Sequence, residues 1–540
     1  MRGNVNGLIV VNQVGYAVKD KKLAMFKGKG GIFQVVNDHN QVVFEGETGI
    51  AGFDEASGEY VALGDFSSVT TIGNYQILFN DSYSSTFSIS EKPYLDLHTG
   101  LLKAFYFLRC GMDLDESYAG PWNHKACHTA KGIVYNEPHR VRDSSGGWHD
   151  AGDYGKYTVA AAKALADLLL AYELFPAAFD RQIPIPKSDG NIPDILHECR
   201  YELEWLFKMQ DELTGRVFHK LTTLNFPPLK TMPEEDRANL YFSPISATAT
   251  GSFAAIMALA SRIYQPFDQE FSKRCIESAT IAWKWLENHE HYPCFKNPEQ
   301  IKTGEYGDEI DSDERYWAAA ELYKTTGDEI YHKKFKQLLS ETELKYELGW
   351  ADVGGYGTIS YLLLNKANTD SHIYDSLLQG LVETAEHFLE ISQKNQYCIS
   401  LTNEDYIWGS NMVLLNHAMI LLLASHFVHK INYVECAKAH LHYLLGRNPM
   451  NLSYVTGFGE HSVMNPHHRP SVADEVTAPI PGFVSGGPNS GLQDDYVKEH
   501  LQGEPPAKCF ADHEDSYATN EVTIYWNSPA VFVASYFIQG

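Results

Sequence analysis

The spacing of apolar residues divides the chain into two parts with different predicted secondary structure. Up to about residue 90 the apolar residues form short runs rich in Val, Phe and Tyr, separated by Gly, Asn and Asp. Such runs predict β-strands, and a succession of them is typical of a β-sandwich. From Lys92 onward the apolar residues recur at spacings of three and four, which predicts about twelve α-helices. We therefore expect an all-β module followed by a larger, mainly α-helical one.

Long stretches without helical periodicity interrupt the helical part. They are residues 111–156, 212–246, 290–312, 345–353, 396–409 and 446–520. Loops of this length in a compact domain usually have a function, while the short turn-like links between other helices favour antiparallel pairs. Helix pairs closed into a ring would form an (α/α)6 barrel with its loops at one mouth, but periodicity alone also fits other helical arrays. The predicted domains are a β-sandwich at residues 1–90 and a helical domain at residues 91–540.

Length and charge narrow the classes of protein that fit this chain. It has 540 residues and a net charge of −26. That length exceeds the usual size of a single core, and the negative charge argues against nucleic acid and anionic membrane surfaces as partners. We expect a monomer that binds a neutral or cationic ligand.

Three sequence features concern location. No run reaches the roughly 18 apolar residues of a membrane span, and the N-terminus has no apolar core of a signal peptide. The eight cysteines are too scattered for a disulfide framework. The predicted location is therefore cytoplasmic, or secreted if a leader has been removed.

The segment Asp143–Tyr157, DSSGGWHDAGDYGKY, has the composition of a rigid turn that presents carboxylates. Its four glycines allow backbone angles that are closed to other residues. Asp150 and Asp153 lie three positions apart, and neighbouring carboxylates repel each other unless they share a metal ion, a water molecule or a substrate. An Asp-Gly turn that caps the next helix would explain only one of these acids. The segment is therefore a candidate catalytic loop.

Two further polar segments, Ser453–Pro470 and Phe510–Ser528, follow near the C-terminus. In the second, Glu521 lies among polar residues and beside apolar ones. An acid at the start of an apolar helix is commonly a first-turn residue that favours the helix dipole. An acid near Tyr517 and Trp526 would instead be desolvated, and its raised pKa would suit a proton donor. One acid with a low pKa facing one with a raised pKa is the arrangement that glycoside hydrolysis needs.

Three motifs in this order resemble those of glycoside hydrolase family 9, in the subgroup with an N-terminal immunoglobulin-like domain. They are SGGWHDAGDYGKY, VTGFGEHSVMNPHHRP and FADHEDSYATNEVTIYWNS, and the opening NQVGY and the later YIWGSN agree as well. The resemblance covers essentially the whole chain and implies an (α/α)6 barrel after an all-β immunoglobulin-like sandwich. It also implies an inverting hydrolase of β-1,4-glucosidic bonds. By that resemblance Asp153 is the general base, Asp150 positions the water or the base, and Glu521 is the general acid.

The resemblance also implies residues that bind the substrate. His467 and Arg469 would donate hydrogen bonds to sugar hydroxyls, since imidazole and guanidinium are donors. Without the resemblance, His467 would be read as a surface histidine. Trp148, Trp408 and Tyr517 are candidates for stacking on sugar rings, although core packing explains any one of them at least as well.

Four side chains form a candidate zinc site. Cys110, Cys127, His128 and His149 offer two thiolates and two imidazoles, a set that suits tetrahedral zinc. Their spacing alone is not a zinc-finger signature, but the resemblance implies a structural zinc at these positions. Because His149 directly precedes Asp150, the metal would hold the catalytic loop in place.

The acidic run Gly307–Trp317 is a candidate calcium site. Most such runs are solvated helix starts, although oxygen-rich loops also bind calcium. The resemblance implies calcium at Asp313 and Glu314, with a third ligand at Asp352. We expect no organic cofactor.

The resemblance implies that the substrate is a β-glucan of the cellulose type or a cello-oligosaccharide, cleaved by an endoglucanase or a cellodextrinase. Two alternatives stay open on the same scaffold. One is an exo-acting β-glucosidase or exo-β-glucosaminidase, which a strongly acidic cleft would favour. The other is a non-catalytic carbohydrate-binding protein, against which the intact pair of Asp153 and Glu521 argues.

Overall fold

The structure is a computed structural model that describes residues 7–188 and 190–539. Contacts between residues divide it into two compact units. The first unit comprises the chain up to residue 104, residues 383–467 and the chain from residue 476 onward, and the second comprises residues 105–382 and 468–475.

The N-terminal part of the first unit is a β-sandwich. Its strands are β1 (Ile9–Val10), β2 (Tyr16–Ala17), β3 (Leu23–Lys27), β4 (Ile32–Asn37), β5 (Val42–Glu47), β6 (Gly52–Asp54), β7 (Glu59–Asp65), β8 (Gly73–Phe79), β9 (Ser82–Tyr83) and β10 (Phe87–Ser90). One sheet has the order β1-β3-β7-β6, and the other has the order β2-β10-β8-β4-β5, with β9 paired to β8. Alternate residues of these strands point inward, and their aromatic side chains, such as Phe26 and Phe33 with ring centroids 5.0 Å apart, fill the core.

The remainder of the chain is mainly helical, as predicted. The helices are α1 (Leu95–Phe107), α2 (Glu116–Ala119), α3 (Thr158–Leu174), α4 (Asp194–Met209), α5 (Ala247–Tyr264), α6 (Gln269–Glu287), α7 (Ser312–Thr326), α8 (Glu329–Leu338), α9 (Gly354–Leu362), α10 (Ser371–Lys394), α11 (Ser410–Val428), α12 (Ile431–Leu444), α13 (Arg469–Ala473), α14 (Asp495–His500), α15 (Tyr517–Asn520) and α16 (Ile524–Ile538). Side-chain caps begin several of them, for example Ser246, whose hydroxyl accepts from the Ala249 N–H at the start of α5.

Helices of the second unit differ in how much of their surface is buried. The helix α5 is buried on all sides and packs against α3, α6 and α7. By contrast, α6 and α8 bury one face and expose polar residues on the other. An inner helix rich in small residues, here Ala, Ser and Thr, allows close approach of its neighbours, while an amphipathic one covers them from outside. This layering is what antiparallel helix pairs are expected to form.

A third sheet lies in stretches that the sequence predicts as loops. Its strands are β11 (Gly132–Val134), β12 (Glu137–Arg142), β13 (Lys156–Tyr157), β14 (Lys220–Thr222) and β15 (Tyr241–Phe242), in the order β12-β11-β15-β14-β13. Strands of two to six residues are too short to show a period, so the prediction of plain loops was wrong here. The sheet joins the segment after Asp153 to the segment 220–242.

The NQVGY motif of the sandwich binds the segment that follows α12 in the same unit. The Gln13 N–H donates to the Leu445 carbonyl at 2.9 Å, and its side-chain oxygen accepts from the His461 N–H at 2.8 Å. Its side-chain amide donates to the Asn451 carbonyl at 3.0 Å. These bonds fix the segment that leads to His467.

One helix, α11, is long and apolar enough to cross a membrane by length and composition alone. It has 19 residues, and 67% of its apolar window is buried within the structure. It packs against α12 and α16. A core helix passes the same test, and packing in the first unit accounts for its apolar surface.

Candidate active site

The aspartate loop, residues 143–157, is joined to the end of α1 by backbone hydrogen bonds. The Cys110 N–H donates to the Gly147 carbonyl and the His149 N–H to the Leu108 carbonyl, each at 2.7 Å. Gly147 has a φ of +76°, and a Cβ at this position would lie 2.7 Å from the Trp205 ring. Only glycine therefore fits this turn. The loop is consequently fixed at the positions directly before Asp150.

Asp150 and Asp153 are both buried, and the surroundings act differently on them. Burial raises the pKa of Asp150 well above its ordinary value, the Tyr306 hydroxyl that donates to it at 2.6 Å lowers it, and the charge of Asp153 raises it again. Burial also raises the pKa of Asp153, but the cations of Arg469 and Lys220 and a backbone N–H of the loop oppose the rise. Asp153 is thus the member of the pair that ionises more readily, which suits a base.

Two cationic side chains, Arg469 and Lys220, bind backbone and side-chain groups near Asp153. Arg469 donates to the Gly152 carbonyl at 2.7 Å and to the Pro227 carbonyl at 3.0 Å. Lys220, in β14, donates to the hydroxyl of Thr303 at 3.2 Å. Burial lowers the pKa of Lys220 to about 7, against the opposing charges of Asp153 and Glu305. Sequence reasoning missed Lys220 and Tyr306, because neither lies in a motif and both lie within stretches predicted as loops.

Trp148 does not present an open face, and its predicted role in sugar stacking is therefore corrected. Its side chain is 1% exposed, with the ring 4.7 Å from that of Phe105. The indole N–H donates to Glu198 at 2.9 Å, and the same carboxylate binds Arg109. Trp148 is a core residue that fastens the aspartate loop to α1 and α4.

The glutamate loop, residues 510–522, lies in the first unit. Glu521 is half-buried and extended, directly after α15, whereas α16 begins at Ile524 with Thr523 as its N-cap. The predicted helix start at Glu521 is therefore wrong, and the residue is not a first-turn acid. The Glu521 carbonyl accepts from the Gly486 N–H at 2.9 Å, and the His467 N–H donates to the Asn520 carbonyl at 2.9 Å.

Asp512 is the centre of the hydrogen bonds that shape this loop. Its carboxylate accepts from the N–H groups of Met464 at 2.8 Å and Asn465 at 2.7 Å and from the Asn520 side chain at 3.1 Å. The Asn520 amide also donates to the Asn465 carbonyl at 2.6 Å. Asp512 therefore links the histidine segment to the residue before Glu521. Sequence reasoning missed this role, although Asp512 lies within the quoted motif.

Three predicted substrate-binding side chains of the first unit lie beside one another. The rings of Trp408 and Tyr517 are 5.5 Å apart, and those of His467 and Tyr517 are 5.8 Å apart. Trp408 is 39% exposed and Tyr517 is 37% exposed, so both rings are open to a ligand. The charge of Glu521 is among the causes that raise the pKa of Tyr517, after burial and two aspartates. The structure thus gathers these aromatic rings around the predicted acid.

The four predicted zinc ligands come together in the second unit. The donor atoms of Cys110, Cys127, His128 and His149 lie within 4.8 Å of one another, and all four residues are buried. Cys127 Sγ and His149 Nε2 are 3.8 Å apart. Tetrahedral zinc with bonds of about 2.0–2.3 Å needs donors roughly 3.5 Å apart. The set therefore fits a closed zinc site.

The surroundings of this cluster orient its donors. His128 Nδ1 is buried with no hydrogen-bond partner, while its Nε2 lies 3.4 Å from Asp236. A carboxylate on one ring nitrogen directs the other toward a metal. Lys156 donates to Cys110 at 3.5 Å, and a hydrogen bond from Cys127, together with this cation, holds the pKa of Cys110 well below its ordinary value.

Three buried carboxylates form the second candidate metal site. The donor atoms of Asp308, Asp313 and Glu314 lie within 4.8 Å of one another. Four of their oxygens are buried with no hydrogen-bond partner, including both of Glu314. Burial raises the pKa of Asp308 to about 7, and the nearby charges of Asp313 and Asp352 add to the rise. Such a set suits a hard cation rather than a solvated helix start.

Asp308 joins the two predicted ligands Asp313 and Glu314, with donor atoms within 4.8 Å of one another. The predicted third ligand, Asp352, is not in that group among the described residues, but its charge acts on Asp308 and Asp313. The Val353 N–H donates to Asp313 at 2.8 Å, so the segment of Asp352 adjoins the site. Asp352 therefore stays a predicted ligand, and Asp308 is a further donor that the prediction did not name.

Comparison with known proteins gives matches along nearly the whole chain. Residues 94–534 match the model for glycosyl hydrolase family 9, and residues 5–84 match the model for the cellulase N-terminal immunoglobulin-like domain. A cellodextrinase of Butyrivibrio fibrisolvens is 40% identical over 98% of this chain and 99% of its own length.

Solved structures also match over nearly the whole chain. A single mutant of a thermostable endoglucanase from Alicyclobacillus acidocaldarius has a TM-score of 0.94 and 42% identity, covering 99% of this chain and 100% of that one. A zinc-binding triple mutant of a family 9 endoglucanase, J30, has a TM-score of 0.92 and 32% identity, covering 97% and 99%. These matches confirm the predicted fold class, an (α/α)6 barrel preceded by an immunoglobulin-like sandwich.

Proposed function

This chain belongs to glycosyl hydrolase family 9, and from that premise we propose that it hydrolyses β-1,4-glucosidic bonds in cellulose-type glucans or cello-oligosaccharides. The products of such an enzyme have inverted anomeric configuration. The similarity to a cellodextrinase over the whole of both chains favours short oligosaccharides. That full-length similarity is the observation on which the proposal depends.

Asp153 is the proposed general base and Glu521 the proposed general acid. Inversion needs one carboxylate to take a proton from water and one carboxylic acid to protonate the departing oxygen. Of the two buried aspartates, Asp153 is the one that nearby cations help to ionise. Asp150, whose pKa is raised further, holds the water or the base through hydrogen bonds. Because Asp153 ionises more readily than Asp150, Asp153 is the better candidate for the base.

Sugar binding is assigned to side chains of the unit that contains Glu521 and to Arg469 of the unit that contains Asp153. His467 donates through Nδ1 to the Glu514 carbonyl at 2.6 Å, which directs Nε2 toward a hydroxyl. Arg469 is held by two carbonyls and has further N–H groups for a hydroxyl. Trp408 and Tyr517 present exposed rings on which the apolar faces of a sugar can stack.

Product analysis tests this function directly. The protein is incubated with cellotetraose, carboxymethyl cellulose and chitosan oligomers, and the anomers of the first products are followed by proton NMR. We expect cleavage of cellotetraose with release of α-anomers. Activity on chitosan oligomers alone would favour the exo-β-glucosaminidase, release of glucose only would favour the exo-β-glucosidase, and binding without cleavage would leave a carbohydrate-binding protein.

A structural zinc ion is proposed at Cys110, Cys127, His128 and His149. The buried donors and the Asp236 carboxylate behind His128 support it. Four protein ligands leave no open position for substrate, so the ion would hold the loop rather than take part in the reaction. Its contribution is to fix His149 and thus the adjoining Asp150.

Calcium is proposed at Asp308, Asp313 and Glu314. The unpartnered buried oxygens support it, because carboxylates that repel one another are stabilised by a hard cation. Removing the ion should lower the melting temperature, and restoring Ca²⁺ should reverse the loss. An unchanged melting temperature in excess chelator specific for calcium would count against this site.

A further inference from the structure

The helix α4 places two buried carboxylates against the aspartate loop. Glu198 and Glu202 lie one turn apart on the same face of this helix, and each is at most 1% exposed. Glutamate is almost never fully buried unless its carboxylate is paired, because removing the charge from water costs free energy. Glu198 pairs with Arg109 and with the Trp148 indole. Glu202 instead binds the backbone of the aspartate loop.

Glu202 accepts a hydrogen bond from the Trp148 backbone N–H, two residues before Asp150. The next N–H along the chain donates to the Leu108 carbonyl at 2.7 Å, and the N–H of Asp150 donates to the Gly155 carbonyl at 2.9 Å. Of these three successive acceptors, only that of Glu202 belongs to a side chain. The backbone directly before Asp150 is therefore held by the end of α1 on one side and by α4 on the other.

The surroundings of the Glu202 carboxyl group indicate a role beyond packing. A Cβ at Gly147 would lie 3.0 Å from Glu202 Oε2, so a side chain there would press on the carboxyl group. Burial raises the pKa of Glu202 to about 8; the Trp148 N–H and the charge of Lys156 lower it, and the charge of Asp150 raises it again. Within the part of the chain that the structure describes, Glu202 Oε1 is buried with no hydrogen-bond partner. An apolar side chain of similar size would avoid that cost.

We propose that Glu202 is a positioning residue for the hydrolytic reaction, because it holds the Trp148 N–H and thereby the placement of Asp150 and Asp153. The inference rests on the proposed function and adds a residue that lies outside the family motifs. Since Glu202 is buried beneath the loop, it acts through the loop and not on the substrate. A displacement of about 1 Å at the reacting groups can lower the rate by about 100-fold.

The test compares Glu202→Met with Glu202→Gln in the full chain. Methionine is similar in size but has no strong acceptor, whereas the glutamine carbonyl can accept the same N–H. Glu202→Met should lower kcat on cellotetraose by roughly 10- to 100-fold and leave KM within about twofold, and Glu202→Gln should keep most of the rate. Rates are referred to the folded fraction, measured by circular dichroism at the assay temperature. Glu204→Gln is the matched control on the same helix and should change nothing, since that carboxylate is 40% exposed and pairs with Arg274.

Hydrogen exchange gives a second readout that does not depend on hydrolysis. Amide exchange of the peptide that contains Trp148, followed by mass spectrometry, should be at least about tenfold faster in Glu202→Met. It should stay slow in Glu202→Gln and in Glu204→Gln. If Glu202→Met does not fold, Glu202→Asp replaces it, because its shorter side chain does not reach the N–H, and the same losses are expected.

Three outcomes would overturn the inference. They are an unchanged kcat per folded molecule in Glu202→Met, which would leave Glu202 a purely structural residue, a loss confined to KM, and an equal loss in Glu202→Gln, which would mean that the acceptor is not what matters. Absence of hydrolysis in the unaltered protein would instead refute the proposed function. Hydrogen exchange would then decide alone whether Glu202 holds the loop, and slow exchange at Trp148 in Glu202→Met would show that it does not.

Discussion

The aspartate loop and the glutamate loop are held in place by different means. The aspartate loop bonds to the end of α1 and is adjacent to a cluster of two thiols and two imidazoles, since His149 directly precedes Asp150. The glutamate loop depends on hydrogen bonds that converge on Asp512. A metal cluster is fixed by a few strong bonds, whereas a hydrogen-bonded turn is fixed by many weak ones. With the proposed zinc ion bound, the geometry of the aspartate loop would depend on a metal, whereas that of the glutamate loop depends on one carboxylate.

The largest effect should come from removing either reacting carboxyl group. Asp153→Asn and Glu521→Gln should each lower kcat on cellotetraose by about 10³-fold or more, because each loses a proton transfer. The two variants should differ on a substrate whose leaving group needs no proton, such as dinitrophenyl cellobioside. Glu521→Gln should regain much of its rate there, and Asp153→Asn should not. Equal recovery in both variants would contradict the assignment of Glu521 as the acid and Asp153 as the base.

A second, smaller effect should come from the residue behind the metal cluster. Asp236→Asn weakens the orientation of His128 and should lower zinc affinity by roughly 10- to 100-fold. Zinc content after dialysis against a chelator, measured by mass spectrometry, should fall together with kcat. Glu235→Gln is the matched control, since that carboxylate lies at an exposed position, where it accepts from the Met232 N–H. Tight zinc binding in Asp236→Asn would contradict the metal's part in fixing the base.

Asp512→Ala should act on the other loop without touching the metal. It removes the acceptor of three hydrogen bonds and should lower the free energy of unfolding by about 3 kcal/mol and kcat by about tenfold. Urea unfolding and kinetics measure both, and zinc content should stay unchanged. Asp515→Asn, an exposed neighbour, should resemble the unaltered protein. Loss of zinc in Asp512→Ala would show that the two loops are not fixed separately.

Lys220→Met should have the smallest effect, on pH dependence rather than on the maximal rate. Lys220 lowers the pKa of Asp153, so removing its charge raises that pKa. Because the base must be ionised, the acidic limb of the kcat/KM profile should move to higher pH, by about half a unit to one unit. The alkaline limb, which reports the acid, should not move. A shift of the acidic limb to lower pH would contradict this account of the base.

Local sequence patterns predict some of these features and not others. The helix at Ala247–Tyr264 follows from periodicity, and the grouping of the four predicted zinc ligands follows from their residue types together with the family resemblance. The role of Tyr306 does not, because it arises where the segment 290–312 meets the aspartate loop. Periodicity reports which face of an element is buried but not which loop packs against it.

Two tryptophans show that a sequence motif does not determine whether a side chain is buried. Trp148 and Trp408 both lie in motifs, yet one is buried and the other is 39% exposed. Trp148 is buried because Glu198 and Phe105 enclose it from α4 and α1, which lie elsewhere in the chain. A residue's exposure depends on those partners, which its own segment does not specify.

Because Trp148 is buried, its fluorescence can report on the conformation of the aspartate loop. The indole lies one residue before a proposed zinc ligand, in a dry environment with a carboxylate on its N–H. If the metal leaves and the loop loosens, this ring meets water and its fluorescence shifts to longer wavelength. The difference spectrum between the unaltered protein and Trp148→Phe would isolate that signal from the other tryptophans, so that the state of the catalytic loop could be followed in real time without an added dye.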